Sequence, residues 1–283
     1  MAPSAVRCGN TLLEFGRRTL VVGILNMAPD SFAGDGLAGD PAAAGARGKE
    51  MWAAGADVLD VGGRSTRPGA APVDTAEEIR RTIPAIRRLA EAGIPVSVDT
   101  TSAAVAAAAL DAGAGMVNDV SALRADPEMG PLVARARVPV VLMDWDDRAG
   151  AADAVGETVA MLRRRMDAAQ AAGIPETQIL VDPGYGFGLT LAQNMELLRR
   201  LRELCALGRP ILIGTSRKGS IGKVLNLPVN ERLEGTAATV VVAIANGADA
   251  IRVHDVRAMA RVARMTDAIV RGLPDAPGEV GAP

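Results

Sequence analysis

Short apolar runs recur along the chain at fairly regular spacing, and segments of helical period fill the intervals between them. The runs cover 21–25, 58–61, 96–98, 115–117, 139–143, 179–181, 210–213 and 250–253. They are rich in Val, Ile and Leu, as strands buried inside a sheet are. Between them, Ala/Arg/Glu/Leu-rich stretches at 42–54, 76–92, 103–112, 155–172, 193–207 and 231–246 carry the helical period. Many of these end on a glycine followed at once by the next apolar run: Gly55, Gly93, Gly113, Gly173 and Gly247 are read as C′ residues. Strand–helix alternation of this kind builds a parallel sheet. Eight such units favour a closed (β/α)8 TIM barrel over an open doubly wound sheet. No Gly-rich GxGxxG follows the first strand, which weakens a dinucleotide-binding reading. The expected α/β architecture is therefore one domain over residues 1–283, with the barrel at about 21–272. Ahead of it, 12–15 and 17–20 flank Gly16 and suit a small hairpin. The Pro/Gly-rich tail after Leu273 is expected to be disordered.

Composition narrows the function. The chain has 283 residues, 49% of them hydrophobic, which is enough for one large core. A formal net charge of −2 gives no field that would draw nucleic acid or an anionic membrane. Aromatics are only 2%, so the stacking platforms of single-strand binders are missing. No apolar run reaches the roughly 18 residues that a membrane span needs. The first twenty residues lack the apolar core of a secretory signal, so a cytoplasmic location is expected. Cys8 and Cys205 lie far apart and suggest neither a disulfide frame nor a metal site. His254 is the one histidine, which excludes a zinc centre built on several His and Cys. Any metal should be a hard cation such as Mg2+, held by oxygen ligands and substrate phosphates.

In such a barrel the residues just after each strand meet at one face, where catalysis sits. Here those ends are unusually polar. They read Asn26-Met27-Ala28-Pro29-Asp30-Ser31-Phe32, then Gly62 through Arg64-Ser65-Thr66-Arg67-Pro68-Gly69, then Asp99-Thr100, Asn118-Asp119-Val120-Ser121 and Met143-Asp144. After them come Asp182-Pro183-Gly184-Tyr185-Gly186-Phe187-Gly188, Thr215-Ser216-Arg217-Lys218 and Arg252-Val253-His254-Asp255. Any one of these could be a helix N-cap, and Ser121 and Asp255 are read that way. Capping does not explain why Arg67, Lys218, Arg252 and His254 gather with carboxylates at one face. Two sets separate by chemistry. Asp99, Asn118, Asp182 and Lys218 suit a flat heterocycle rich in N–H groups, such as a pterin or guanine-like ring. A buried ion-pair network around Asp182 and Lys218 is the alternative reading. Asn26, Arg67, Arg252 and His254 suit a diphosphate, with Asn26 placed to help hold Mg2+.

Taken in order, these motifs resemble the dihydropteroate synthase family over almost the whole chain. The resemblance rests on NMAPDSF at 26–32, GADVLDVGGRSTRPG at 55–69, SVDT at 97–100, VNDVS at 117–121, LVDPGYGFG at 180–188, SRK at 216–218 and RVHD at 252–255. It implies a folate-pathway transferase. Such an enzyme condenses 6-hydroxymethyl-7,8-dihydropterin diphosphate with 4-aminobenzoate, giving 7,8-dihydropteroate and diphosphate. By that resemblance Asp99, Asn118, Asp182 and Lys218 hold the pterin, with Met143 against its ring, and Asn26 takes the Mg2+. Arg67, Arg252 and His254 hold the diphosphate. Thr66, Pro68 and Phe187 shape the aminobenzoate site. Asp99, Asp182, Lys218, Arg252 and His254 form the catalytic set, and a homodimer is implied.

Four departures from the family pattern stand out. Asp144 follows Met143 where a histidine is usual. Leu189 stands where a lysine follows the sixth strand. Gly219 follows Ser216-Arg217-Lys218 where a larger residue is common. The first loop has Ala28 in place of a hydroxyl, with Asp35 displaced. All four bear on the amine half of the site. They keep open a paralogue with another amine or with reduced sulfonamide sensitivity, and a non-catalytic pterin-binding homologue. The related corrinoid methyltransferases are not expected to carry the STRPG and SRK loops together.

Overall fold

The computed structural model describes residues 5–28, 37, 40–64 and 73–273. The expected site residues Thr66, Arg67 and Pro68, and the tail after Leu273, lie outside them. In chain order the elements are β1 (Ala5–Cys8), β2 (Thr11–Glu14), β3 (Leu20–Asn26), α1 (Pro41–Ala53), β4 (Val58–Gly62), α2 (Thr75–Glu91), β5 (Val96–Asp99), α3 (Ala103–Asp111) and β6 (Met116–Asp119). Then follow α4 (Met129–Ala136), β7 (Val140–Met143), α5 (Ala154–Ala171), β8 (Ile179–Asp182), α6 (Leu191–Arg199), β9 (Leu212–Ile213), α7 (Gly219–Leu225), α8 (Leu233–Ala245), β10 (Ala250–Val253) and α9 (Val256–Val270).

Strands β3 to β10 pair in parallel in the order β8-β7-β6-β5-β4-β3-β10-β9. A parallel bridge between Val181 and Ile211 joins the two ends. There the Val181 N–H donates to the Pro210 carbonyl at 3.0 Å. The sheet is thereby closed on itself as the expected (β/α)8 barrel. The predicted glycines all serve as stops: Gly55, Gly93, Gly113, Gly173 and Gly247 have φ between +74° and +104°, a region that costs a residue with a β-carbon.

The period of two along the strands sorts the core. Val21, Leu25, Leu59, Val61, Val98, Val117, Leu142, Val181 and Ile251 face outward and pack with the helices. Val22, Val58, Met116, Val141, Leu180, Leu212 and Ala250 face inward and form a second cluster with Val6, Cys8, Leu13 and Phe15 of the hairpin. The hairpin thus plugs the N-terminal end of the barrel and leaves the C-terminal end to the site. Burial there pushes the Cys8 thiol up to about 12, so it is an inert core group.

Two expectations need correcting. The hairpin turns at Gly9-Asn10, not at Gly16, because Ala5–Cys8 pairs antiparallel with Thr11–Glu14. A β-carbon at Gly115 would overlap the backbone of Gly9, so the hairpin tip lies directly against β6. The helix expected over 193–207 breaks at Arg200 into α6 and a 3-10 segment, Leu201–Leu207. Arg200 there gathers Asp153, Glu196 and Glu203 in one surface cluster.

Candidate active site

The alternation that buries the lower barrel also builds the site. One step up from the apolar plug, the inward positions become Asp60 on β4, Asn118 on β6, Met143 on β7, Asp182 on β8 and Arg252 on β10. One step further come Asn26, Gly62, Asp99 and, just past β10, His254. All of these but Asp60, which stands behind Arg252 and Asn118, line a cavity of about 470 Å³. All nine expected residues that fall among the described ones line it: Asn26, Asp99, Asn118, Met143, Asp182, Phe187, Lys218, Arg252 and His254.

Arg252 is the electrostatic centre. Its Nε donates to Asp60 Oδ2 at 2.6 Å, and its Nη2 donates to Asp99 Oδ2 at 2.7 Å. Asn118 Nδ2 donates to the same Asp60 oxygen at 2.9 Å. The pterin set and the described members of the diphosphate set, Asn26, Arg252 and His254, therefore share one cavity, with Arg252 joining them. Burial opposes the charge on Arg252, yet Asp60 and Asp99 together hold its guanidinium more firmly protonated than usual. Asp60 was missed in the sequence because it reads as a lone polar residue inside an apolar run. Its position two residues after Val58, on the same inward face, is the signal that reveals it.

Asp99 and Asp182 are acids under tension. Burial drives the Asp99 carboxyl up to about 7, against the pull of Arg252. Burial likewise drives Asp182 up to about 6, although the Gly184 N–H donates to its Oδ1 at 2.7 Å. Burial brings Lys218 down to about 8, with Asp182 opposing the shift, and its Nζ lies 3.9 Å from the centre of the Phe187 ring. Such carboxylates are ready to accept N–H donors from a ligand that replaces water.

The loop after β9 is held from outside. Arg217 sits at φ +55°. Its guanidinium pairs with Asp255 at 2.6 and 2.9 Å. The Asp255 carboxylate therefore anchors this loop and does not cap α9, contrary to the capping expectation. Arg232 Nη1 donates to the Arg217 carbonyl at 3.0 Å, which fixes the backbone that presents Lys218. Ser121 does not cap a helix either: it sits in a turn whose Arg124 and Ala125 N–H groups its Oγ accepts, and α4 begins only at Met129. Ser216 was not singled out by sequence, yet its Oγ lies 2.9 Å from His254 Nδ1 and accepts the His254 N–H at 3.2 Å.

Among the described residues, no group of three or more His, Cys, Asp or Glu side chains could hold a metal ion. Asn26 Oδ1 accepts the Ala28 N–H at 3.0 Å and keeps a second lone pair. One such oxygen fits Mg2+ only where phosphate oxygens and water supply the remaining ligands. The departures also find their places. Leu189 packs against the core, Ala28 is fully buried, and among the described residues nothing lies within 4 Å of where a Gly219 β-carbon would stand. Asp144 is fully buried and paired with Arg148.

Barrel, plug and polar mouth define a pterin-binding barrel enzyme, and the profile of the family described as "Pterin binding enzyme" matches residues 22–254. The dihydropteroate synthase of Synechocystis sp. is 45% identical over 278 residues, covering 95% of this chain and 96% of that protein. That of Bacillus subtilis is 43% identical over 259 residues, covering 91% of each. The structure of Xanthomonas albilineans dihydropteroate synthase with 4-aminobenzoic acid superposes with a TM-score of 0.89 at 42% identity, covering 97% of this chain and 100% of that one. A Yersinia pestis dihydropteroate synthase in a sulfonamide drug complex gives a TM-score of 0.89 at 36% identity, covering 94% and 98%. The chain belongs to the dihydropteroate synthase family of pterin-binding enzymes.

Proposed function

We propose that this protein is a dihydropteroate synthase, joining 6-hydroxymethyl-7,8-dihydropterin diphosphate to 4-aminobenzoate with release of diphosphate. The observation that carries the reading is the convergence of nine expected residues on one cavity at the C-terminal mouth of the barrel. Asp182, Asn118 and Asp99 accept and donate along the polar edge of the pterin, and Met143 packs on its face. Arg252, charged through Asp60 and Asp99, bridges from the ring toward the diphosphate, where Arg67 and His254 join it. Asn26, together with phosphate oxygens, would hold Mg2+, which would supply charge neutralisation for the leaving group. The carbon that loses diphosphate is attached to an electron-rich ring, so positive charge develops on the pterin as the bond breaks. Asp182 and Asp99, carboxylates buried at the cavity, stabilise that charge, and this favours a dissociative substitution. The aniline nitrogen is neutral at pH 7 and needs no strong base. Phe187, Thr66 and Pro68 border it and keep out the water that competes with it.

The enzyme is cytoplasmic and works as a homodimer. Among the described residues, no helix is long and apolar enough to cross a membrane. The neighbouring helices α8 and α9 leave Leu233, Val241, Val242, Met265 and Ile269 exposed. An apolar face of that kind supports contact between two copies. Among the described residues nothing fills the space beside Gly219, which favours a second reading, in which the acceptor is an amine bulkier than 4-aminobenzoate. Steady-state formation of 7,8-dihydropteroate tests the proposal. Wild-type protein should make it, and Asp182→Ala should lose at least about a thousandfold in kcat/KM without loss of fold. A wild-type protein that binds the pterin diphosphate and never forms dihydropteroate would overturn it.

A further inference from the structure

The residue after Met143 is a buried acid, and four residues later stands a buried arginine. Asp144 is fully buried and Arg148 is 5% exposed, and the two form an ion pair. Arg148 does more than neutralise its partner. Its Nη1 also donates to Thr158 Oγ1 at 2.6 Å on α5, and its Nη2 donates to the Phe187 carbonyl at 3.4 Å. Its backbone N–H donates to the Gly188 carbonyl at 2.7 Å. Gln193 Nε2 returns to the Arg148 carbonyl at 2.9 Å. On the barrel side, the Asp144 N–H donates to the Asp182 carbonyl at 3.1 Å.

The approach of the two loops is as close as backbones allow. A β-carbon at Gly184 would overlap the Asp144 carbonyl oxygen, and one at Gly188 would overlap that of Asp146. Both glycines also have positive φ, +71° and +58°. The loop after β8 is therefore moulded onto the loop after β7, and the Asp144–Arg148 pair is the clamp between them. Phe187 leaves that clamp with its ring beneath Lys218 Nζ. Neither member of the pair lines the cavity.

We propose that Asp144 and Arg148 are positioning residues for the amine side of the site: they fix the backbone at Phe187 and Gly188, and so set the Phe187 ring against Lys218 and the amine. The inference rests on the reading in which Phe187 borders the amine. A planar guanidinium is required, because only a fork reaches Asp144, Thr158 and the Phe187 carbonyl at once.

Two variants test it. Arg148→Lys keeps the charge and loses the fork. Asp144→Asn combined with Arg148→Met removes both charges together, which buried pairs tolerate better than the loss of one. Both should fold by circular dichroism and bind dihydropterin diphosphate as wild type does. Their KM for 4-aminobenzoate should rise about tenfold or more while kcat changes by less than about threefold. An amine KM within about twofold of wild type in a folded variant overturns the proposal, as does a pterin Kd that rises in step with the amine KM. Native protein supplies a check that needs no variant. The Arg148 amide, held by the Gly188 carbonyl, should exchange its hydrogen as slowly as the barrel core, and rapid exchange there overturns the clamp. If wild-type protein makes no dihydropteroate, the synthase reading falls, while the exchange experiment still decides whether the clamp exists.

Discussion

Replacing Asp60 by Asn probes the electrostatic centre through a residue that touches no expected ligand. Asp60 is 1% exposed and shares one oxygen between Arg252 at 2.6 Å and Asn118 at 2.9 Å. At an effective dielectric of about 20, the Arg252–Asp60 attraction is about 6 kcal/mol. Roughly half returns when the carboxylate is neutralised, because its burial cost and its repulsion of Asp99 vanish with its charge. The remaining loss is about 3 kcal/mol, the lower end for a broken buried pair, since Asp99 still faces Arg252. For a chain of this size that lowers Tm by about 6 °C, measurable by differential scanning calorimetry. A second readout has the opposite character. Asp60 is one of the charges that hold the Asp99 carboxyl up at about 7. In Asp60→Asn that carboxyl falls toward its ordinary value, and the acidic limb of kcat/KM for the pterin diphosphate moves to lower pH. An unchanged Tm together with an unmoved acidic limb would refute the reasoning.

Three further outcomes are expected. The Asp182 carboxyl, at about 6, keeps its proton in the folded state where the unfolded chain, near 4, has lost it. The empty enzyme should therefore lose stability as pH rises from about 4 to about 6, by on the order of 3 kcal/mol. Asp182→Asn should flatten that slope and raise Tm at pH 8 while abolishing turnover, and a steeper slope in the variant would contradict this. Gly219→Ser adds a hydroxyl at the cavity wall, where no described atom stands in its way; the KM for 4-aminobenzoate and sulfonamide inhibition constants should both fall by about threefold or more, with Tm unchanged, and unaltered constants would remove Gly219 as a determinant. Gly115→Ala drives a methyl into the hairpin backbone at Gly9; it should cost about 2 kcal/mol in denaturant unfolding with KM values unchanged, and an unaffected midpoint would show that the plug yields freely.

The barrel was legible because two periods coexist in the chain. Runs such as 58–61 and 179–181 set the strands, and the positive-φ glycines closed each helix in register with the next strand. The site was legible wherever a polar residue ended a run, as Asp99, Asp182 and Arg252 do. Asp60 escaped because burial on one face of a strand depends on parity, and an acid between Leu59 and Val61 resembles a flaw in an apolar segment. The role of Asp144 escaped for another reason. Its meaning lies in Arg148 and in the Phe187 carbonyl, and pairing between separate loops leaves no periodic trace. The hairpin register escaped because Gly9 and Gly16 are equally permissive, and what favours the first is tertiary packing, of the tip against Gly115 and of Val6, Cys8, Leu13 and Phe15 in the lower barrel.

The central claim is that this cavity couples departure of diphosphate to capture of an aromatic amine. The measurement that tests it most directly is a mass balance. Purified protein, Mg2+, dihydropterin diphosphate and 4-aminobenzoate are incubated, and diphosphate and 7,8-dihydropteroate are quantified together. The account predicts equal amounts at every time point. Diphosphate without dihydropteroate, or neither product from a protein that binds the pterin, would contradict it.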